Sequence, residues 1–482
     1  MDERKSLISE ELTKKYKQAH FDEELLHMTA QLVEEPFLLE GSFKKEYLEL
    51  PKEVLASCMK KNQKIFACYG ADGKLNGKFA AVMNGARAKA ALPRIREDYE
   101  GVLESRLKDA RYFYKQDTAQ PLESKLHLLE QVTYLGKLGN MKQKTERTEK
   151  LAAEFADFAG HAGLQGDLVR AARLSKIDLM THLVYEFPDI QGIAGREYAL
   201  ASGEKNEVAL ALGTQYLPKN LGEDYRELSR QMNLLGAMLG VVDRLDHLAG
   251  AFGIGMQPSG SQDPYALRRA GGSLVKIIRA FSIHFDLQQV LEICGGLYGK
   301  ALTENDWQAK LKKFFEDRVV FELQAKPGTR EYEILQAILK VSPGNLANVF
   351  DRYEKLAALY SREPKTFLKA AKVVERTGNI IKGAKVEGEI RPEALVEPSE
   401  KVLFQILKEK SHEIEAIREC DKATAKFGEI FYQPVHDFFK QVMVNVEDAS
   451  IRSNRQILMK KINQLYTQRI ADLSLLSGLD SI

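Results

Sequence analysis

Charged residues set among apolar ones are the first sign of chemistry in this chain, and they concentrate in residues 174–269. The stretch Leu174-Ser-Lys-Ile-Asp-Leu-Met-Thr-His-Leu-Val-Tyr-Glu186 contains Lys176 and His182 and places Asp178 among Leu174, Ile177, Leu179 and Leu183 at helical spacing. Glu186 stands just before a Phe-Pro break, and Val242-Asp-Arg-Leu-Asp-His-Leu248 supplies Asp243, Arg244, Asp246 and His247. Burying a polar group without a partner costs about 1–3 kcal/mol. Such residues therefore either build a site or pair into a rigid polar bracket. A Gly- and Pro-rich loop, 253–264, then leads into Asp263-Pro-Tyr-Ala-Leu-Arg-Arg269. At a helix start the Arg268 and Arg269 forks face phosphates, or they pair at the surface with Asp263 or another nearby acid. The residues leave both roles open.

The sharpest enzymatic reading is a metal-dependent phosphohydrolase of the His-Asp type. That chemistry needs a first His, an adjacent His-Asp pair and a distant Asp, all reaching one or two metals. Asp243 suits the distant ligand, yet Arg173-Leu-Ser-Lys-Ile-Asp178 offers no imidazole where the pair should stand. The literal His436-Asp437 lies far along the chain without companions. So few nitrogen donors make a weak transition-metal site. The expectation is no metal and no catalytic residue. Lys176, Asp178, Glu186, Asp243, Arg244 and Asp246 instead form a structural bracket, with Lys176 or Arg244 paired to Asp178 or Asp243 in the vacated ligand space. His182 and His247 are expected to be satisfied by core hydrogen bonds. No G-x-x-x-x-G-K-[ST] phosphate loop occurs, and Gly253-x-Gly255 lacks the preceding strand of a dinucleotide fingerprint. No nucleophile–base pair is evident either.

The elements that must hold these residues are mostly helices. With 482 residues, 44% apolar and 29% charged, the chain has ample material for several cores. Its net charge of +2 means that any nucleic-acid surface comes from local clustering. The four cysteines (Cys58, Cys68, Cys294, Cys420) form no C-x-x-C pair, and with the charged start Met1-Asp-Glu-Arg-Lys they suit a cytoplasmic protein. The longest apolar run, 234–242, is far short of a membrane span. The pattern predicts helix over 1–35, then a small antiparallel sheet over 35–90. Its strands are the short apolar runs at 37–43, 63–69 and 79–84, with Gly70-Ala-Asp-Gly73 as the hairpin turn. Helix follows from Arg94 with few breakers until Pro188, and helices punctuated by Gly and Pro continue to 345. Tyr112, Phe113 and Tyr114 read as packing. The cluster Gly378, Gly383, Gly388, Pro392, Pro398 reads as a linker. The fold class is mainly α and multidomain: an α+β part at 1–130, a helical domain at 131–285, a helical linker domain at 286–395 and a helical bundle at 396–482.

In that bundle, Phe438-Phe-Lys-Gln-Val-Met-Val-Asn-Val446 leads into a helix that Asp448 or Ser450 caps. Arg452 and Arg455, three apart, share a face with Asn454 beside them. Arginines, Asn and nearby aromatics suit unstacked bases; a solvated polar face over an aromatic core is the plainer alternative.

Together these stretches resemble the beta subunit of the bacterial heteromeric glycyl-tRNA synthetase. The likeness is carried by Lys176-x-Asp-Leu-Met-Thr181, Glu186-Phe187, Gln191-Gly192, Tyr198-Ala199, Asp243-Arg-Leu-Asp246 and Gly250-x-Phe-Gly-Ile-Gly255. It is carried further by Asp263-Pro-Tyr-Ala-Leu-Arg-Arg269, Phe438-Phe439, Val442-Met443-Val444, Arg452, Asn454-Arg455 and Ala471-Asp472. The resemblance implies a degenerate His-Asp-like middle domain without the metal set, and a C-terminal anticodon-binding bundle. It implies glycine–tRNA ligase activity with ATP and Mg used on a separate alpha subunit (an alpha2beta2 assembly), so that this chain binds no cofactor of its own. Its partners would be the tRNA for glycine and the alpha subunit, with no DNA and no membrane. By the same resemblance Arg452, Asn454 and Arg455 face the RNA in the bundle, and Arg268 and Arg269 lie near a surface for the acceptor arm. Family members carry a further domain's worth of chain ahead of the position matching Met1. A metal-dependent phosphohydrolase and a helical scaffold with no RNA role are the rival readings.

Overall fold

The computed structural model describes residues 2–16, 22–70, 72–85, 91–260, 262–342 and 344–479. Ala71 of the hairpin turn, the end of the sheet region at 86–90, Ser261 of the Gly/Pro loop and the breaker Pro343 therefore lie outside the described residues. The fold is mainly α with one small antiparallel sheet. It divides into two compact units. The first comprises 1–156, 161–217 and 229–243; the second comprises 157–160, 218–228 and 244–482.

In the first unit, β1 (Pro36–Ser42), β2 (Phe66–Tyr69) and β3 (Leu75–Asn84) lie in the order β1-β3-β2, both pairings antiparallel. The three apolar runs of the sequence fall on these strands, with two differences: 63–65 closes the preceding helix Lys52–Gln63 instead of opening β2, and β3 begins earlier than expected, at Leu75. Gly73 takes φ +71°, and Gly70 N–H donates to the Lys74 carbonyl at 2.8 Å to close the turn. Gly41 pairs with Phe79, and a Cβ there would sit 2.2 Å from the Phe79 ring, so only glycine lets that ring lie flat across β1. Helices Asp2–Lys15 and Glu23–Leu32 pack on the sheet through Ile8, Leu12, Leu25, Leu26 and Ala30 against Phe66, Cys68 and Ala80. The predicted single helix over 1–35 is thus two. Asp22 caps the second by accepting from Leu25 N–H at 2.9 Å, and Pro36 opens β1.

The long helix Leu92–Thr118 buries Leu103, Leu107, Ala110 and Asp117 along one stripe. The helical run expected as far as Pro188 is broken well before it. Pro121 starts a 3-10 stretch, Leu122–Gln131, and a bridge between Thr133 and Asn140 follows, with Gly136 and Gly139 at positive φ. Helices Met141–Phe158 and Gln165–Leu174 come next. Asp178 then lies in the 3-10 turn Ile177–Met180, not in an α-helix. Thr181 explains the break: its hydroxyl donates to the Asp178 carbonyl at 2.6 Å and caps the next helix, His182–Glu186. Such side-chain bonds compete with helix continuation.

The second unit is a succession of helices from Leu267–Phe281 to Ala449–Thr467. The loop expected at 253–264 is present, between the helix Leu234–Gly253 and Leu267–Phe281. The stretch expected as a linker differs from its reading. Gly378 sits inside helix Pro364–Ile381, where a Cβ would meet Asn463 at 3.5 Å. The irregular part, 382–397, is fastened down by Arg391 and by buried Leu395. In the bundle, of the residues whose spacing marks inward faces, Leu403, Phe427 and Phe431 are fully buried while Ile406, Leu407 and Ile430 are only half-buried, and Asp448 caps Ala449–Thr467 through the Ser450 and Ile451 amides.

Candidate functional site

Where a His-Asp site would gather cations, the first unit gathers ammonium groups. Asp243 ends that unit's share of helix Leu234–Gly253, and both its carboxylate oxygens are taken by lysines. Lys144 Nζ lies 2.7 Å from Oδ1, and Lys176 Nζ lies 3.1 Å from Oδ2. Lys176 is 5% exposed and aims three N–H groups at three oxygens: Asp243 Oδ2, Gln215 Oε1 at 3.1 Å and Tyr216 Oη at 3.3 Å. Its ammonium also stands 4.4 Å from the Tyr216 ring centroid, a cation–π contact. Burial draws the Lys176 pKa below the ordinary lysine value, while the Asp243 carboxylate works against that.

Asp178, at 1% exposure, points elsewhere. Its Oδ2 accepts the Gly192 N–H at 2.6 Å, and Gly195 leaves it room, since a Cβ there would stand 3.4 Å from that oxygen. Oδ1 is buried with no hydrogen-bond partner among the described residues. Burial pushes the Asp178 pKa up to about 6; the Gly192 amide and nearby Lys176 pull it back only in part. Gly192, at φ +82°, is the pivot that turns its amide toward the acid.

The remaining bracket candidates have surroundings of their own. The Glu186 side chain is half-buried and makes no hydrogen bond or ion pair among the described residues; its carbonyl receives Lys61 Nζ. Arg244 and Asp246 belong to the second unit, where Asp246 is buried and its carbonyl accepts the Tyr298 hydroxyl at 2.9 Å. His182 departs from the core role expected of it. Its ring is largely exposed, stacks at 6.0 Å on Phe113, and bonds through Nδ1 to Asp117 at 2.9 Å. His247 is half-buried, with Nε2 at 3.3 Å from the Tyr265 carbonyl.

The arginine candidates also find definite surroundings. Asp263 accepts from the backbone amides of Leu267 at 2.7 Å and Arg268 at 2.9 Å, capping the helix instead of pairing with the guanidinium groups. Arg268 folds back onto the Gly260 carbonyl at 2.7 Å, whereas Arg269 is exposed without an ion pair among the described residues. Asn454, 1% exposed, pairs in both directions with the Arg391 backbone, at 2.8 and 3.0 Å. Arg455, 6% exposed, is bonded to Glu400 and donates to the Met443 carbonyl at 2.8 Å. Arg452 is half-buried and donates to the Val446 carbonyl at 2.8 Å. In this arrangement Asn454 and Arg455 brace the bundle from inside, a positioning role, and only part of Arg452 reaches the surface.

The comparison with known proteins decides the family. A model of the glycyl-tRNA synthetase beta subunit matches residues 1–340. The chain belongs to the glycyl-tRNA synthetase beta subunit family. It is 34% identical over 460 residues to the glycine–tRNA ligase beta subunit of Desulforamulus reducens, covering 94% of this chain and 64% of that one. The corresponding protein of Psychromonas ingrahamii is 35% identical, with 95% of this chain and 65% of that one covered. That of Moorella thermoacetica is 36% identical, with 94% and 65% covered. The chain thus spans somewhat less than two thirds of the length of these relatives.

Within this family member, three residues of the lysine bracket (Lys144, Gln215 and Tyr216) and one buried acid escaped the sequence reading. Lys144 had a signal: Lys144, Thr148, Leu151 and Phe155 recur on one face of Met141–Phe158, so the lysine continues an apolar stripe. Gln215 lies just beyond a helix end, and nothing in its spacing points to Lys176. Asp117 carries the buried stripe of Leu92–Thr118 to its last turn. There it accepts from the His182 and Leu183 amides, each at 3.1 Å, and from the Tyr198 hydroxyl at 3.0 Å.

Proposed function

We propose that this chain is the tRNA-holding part of a glycine–tRNA ligase, and that it works with a separate alpha subunit on which glycine is activated with ATP and Mg. The likeness to beta subunits along 94% of the chain carries this reading. The lysine bracket supports it from the chemical side. A carboxylate whose two oxygens already face Lys144 and Lys176 is ill placed to ligate a divalent cation, because the ammonium groups hold the positions and the charge a metal would bring. The middle of the chain is then architecture, and the reaction belongs to the partner polypeptide. The setting is the cytoplasm, and the assembly is alpha2beta2; no described helix is long and apolar enough to cross a membrane.

The test pairs binding with activity. The chain is titrated with a transcript of the tRNA for glycine and with a non-cognate tRNA at the same stated salt, because phosphate contacts make affinity salt-dependent. It is then co-expressed with an alpha subunit and assayed for glycyl-tRNA. Preference for the cognate tRNA and charging only when both chains are present are expected. Equal weak binding to both tRNAs with no charging, or turnover of phosphate esters by the chain alone with bound metal, would overturn the reading.

A further inference from the structure

The bundle carries a cleft that none of the five arginine and asparagine candidates lines, although His436 and Phe439, noted in the sequence for other reasons, do. It lies between helices Pro364–Ile381 and Cys420–Gln441, holds about 470 Å3, and is lined by Arg376, Asn379, Ile380, His436, Phe439 and Lys440. Each helix contributes residues at i, i+3 and i+4, so one face of each looks into the cleft. The volume lies within the range of small-molecule sites and suits one nucleotide.

Its chemistry is that of a base with its phosphate. Arg376 donates through Nη1 to His436 Nδ1 at 2.8 Å. A guanidinium has only donors, so in this pair the imidazole proton sits on Nε2. Arg376 and Lys440 have no carboxylate partner among the described residues, unlike Lys372, Lys422 and Lys426 on the same two helices, which pair with Glu375, Glu419 and Glu429. Phe439 is half-buried, and Ile380 stands with it as an apolar wall. The line continues past the cleft: Tyr432 stacks on His436 at 6.3 Å and 15°, and Lys369 lies 5.8 Å from the Tyr432 ring centroid. Aromatic rings thus alternate with cations over two turns of helix. Single-stranded RNA is held by that combination, with bases on the ring faces and phosphates on the cations. The acid beside the line, Asp437, is bonded to Gln433 at 2.8 Å.

We infer that this cleft binds an unstacked ribonucleotide of a bound RNA, its base against Phe439 and His436 and its phosphate on Arg376 and Lys440. The inference rests on the RNA-holding reading and names a contact surface for it. The test uses two probes on the full chain: the transcript of the tRNA for glycine, and a single-stranded ribo-oligonucleotide of about six residues, within the site sizes of stacking grooves. Three variants are compared with wild type: Phe439→Leu, which keeps an apolar side chain; Arg376→Ala/Lys440→Ala; and, as a basic-to-alanine control in another helix, Lys313→Ala, at an exposed lysine to which no RNA contact is assigned. Thermal melting shows that each is folded. Phe439→Leu should weaken both probes about tenfold with the salt slope unchanged, as loss of one stacked base does. Arg376→Ala/Lys440→Ala should lower the slope by about one to two ions. Wild-type affinity for both probes in Phe439→Leu and in Arg376→Ala/Lys440→Ala would overturn the cleft while leaving the RNA-holding reading intact. Oligonucleotide binding that depends on Phe439, without any preference for the tRNA, would keep the cleft and sink that reading. Binding of neither probe by wild type would end both.

Discussion

At the scale of single residues, the lysine bracket is an electrostatic construction with a measurable cost of disruption. Two ammonium groups share one carboxylate that is 16% exposed, so attraction is felt through protein more than through water. Removing one partner of a buried pair typically costs about 3–5 kcal/mol. Asp243 would keep Lys144, so Lys176→Met should fall near the low end, about 3 kcal/mol by urea unfolding. A loss below about 1 kcal/mol would mean that the bracket is solvent-screened like a surface pair. Asp178 makes a second prediction. Its pKa is raised to about 6 in the folded chain, so between the unfolded value near 3.8 and that figure the native state holds the extra proton. Folding stability from this group therefore falls as pH rises through that window, opposite to the usual salt-bridged carboxylate. Asp178→Asn keeps an acceptor for the Gly192 amide and cannot ionise. Wild type should lose up to about 3 kcal/mol relative to it between pH 4 and 7. A flat difference across that range would show that Asp178 ionises freely.

At the scale of elements, single buried acids tie helices together. Asp117 ends one long helix, starts the short one at His182–Glu186 and holds Tyr198 of a third, Ile193–Ala201. Glu400 does the same in the bundle. One oxygen accepts the Val396 and Glu397 amides at 2.7 and 3.2 Å, which fastens the start of Pro398–Glu415, and the other receives Arg455 of Ala449–Thr467. Both side chains are buried, Glu400 wholly so. Arg455→Ala should accordingly destabilise the chain by about 3–5 kcal/mol. Arg452→Ala, at a half-buried residue bonded to the Val446 and Glu447 carbonyls, should stay within about 1.5 kcal/mol. If Arg455→Ala abolished RNA binding while leaving the melting temperature untouched, a direct contact would replace the bracing role.

At the scale of the whole molecule, burial makes the thiols reporters of folding. All four cysteines are free and buried, and burial raises the thiol pKa to about 12 at Cys58 and Cys68 and to about 11 at Cys420. Reaction needs the thiolate, so a thiol reagent at pH 8 should label the native chain slowly and all four sites at once in urea. Fast labelling of one cysteine in native buffer would mark local opening there.

Much of this was legible in the chain as written. The apolar runs at 37–43, 63–69 and 79–84 are set by neighbouring residues alone, and so is the cap at Asp448. The motifs that carry the family likeness are likewise local. The helix breaks near Thr181 and Pro121 were less visible, because side-chain bonds overrode apolar spacing. Partner choice was not local at all. Lys176 and Asp243 are 67 positions apart, Lys144 and Asp243 are 99 apart, and Arg391 and Asn454 are 63 apart. By itself the sequence determined that polar groups on apolar faces must be paired, since leaving them unpaired is too costly. Only the crossing of helices in three dimensions decided which groups meet, because a charge feels partners a few ångströms away however much chain lies between them.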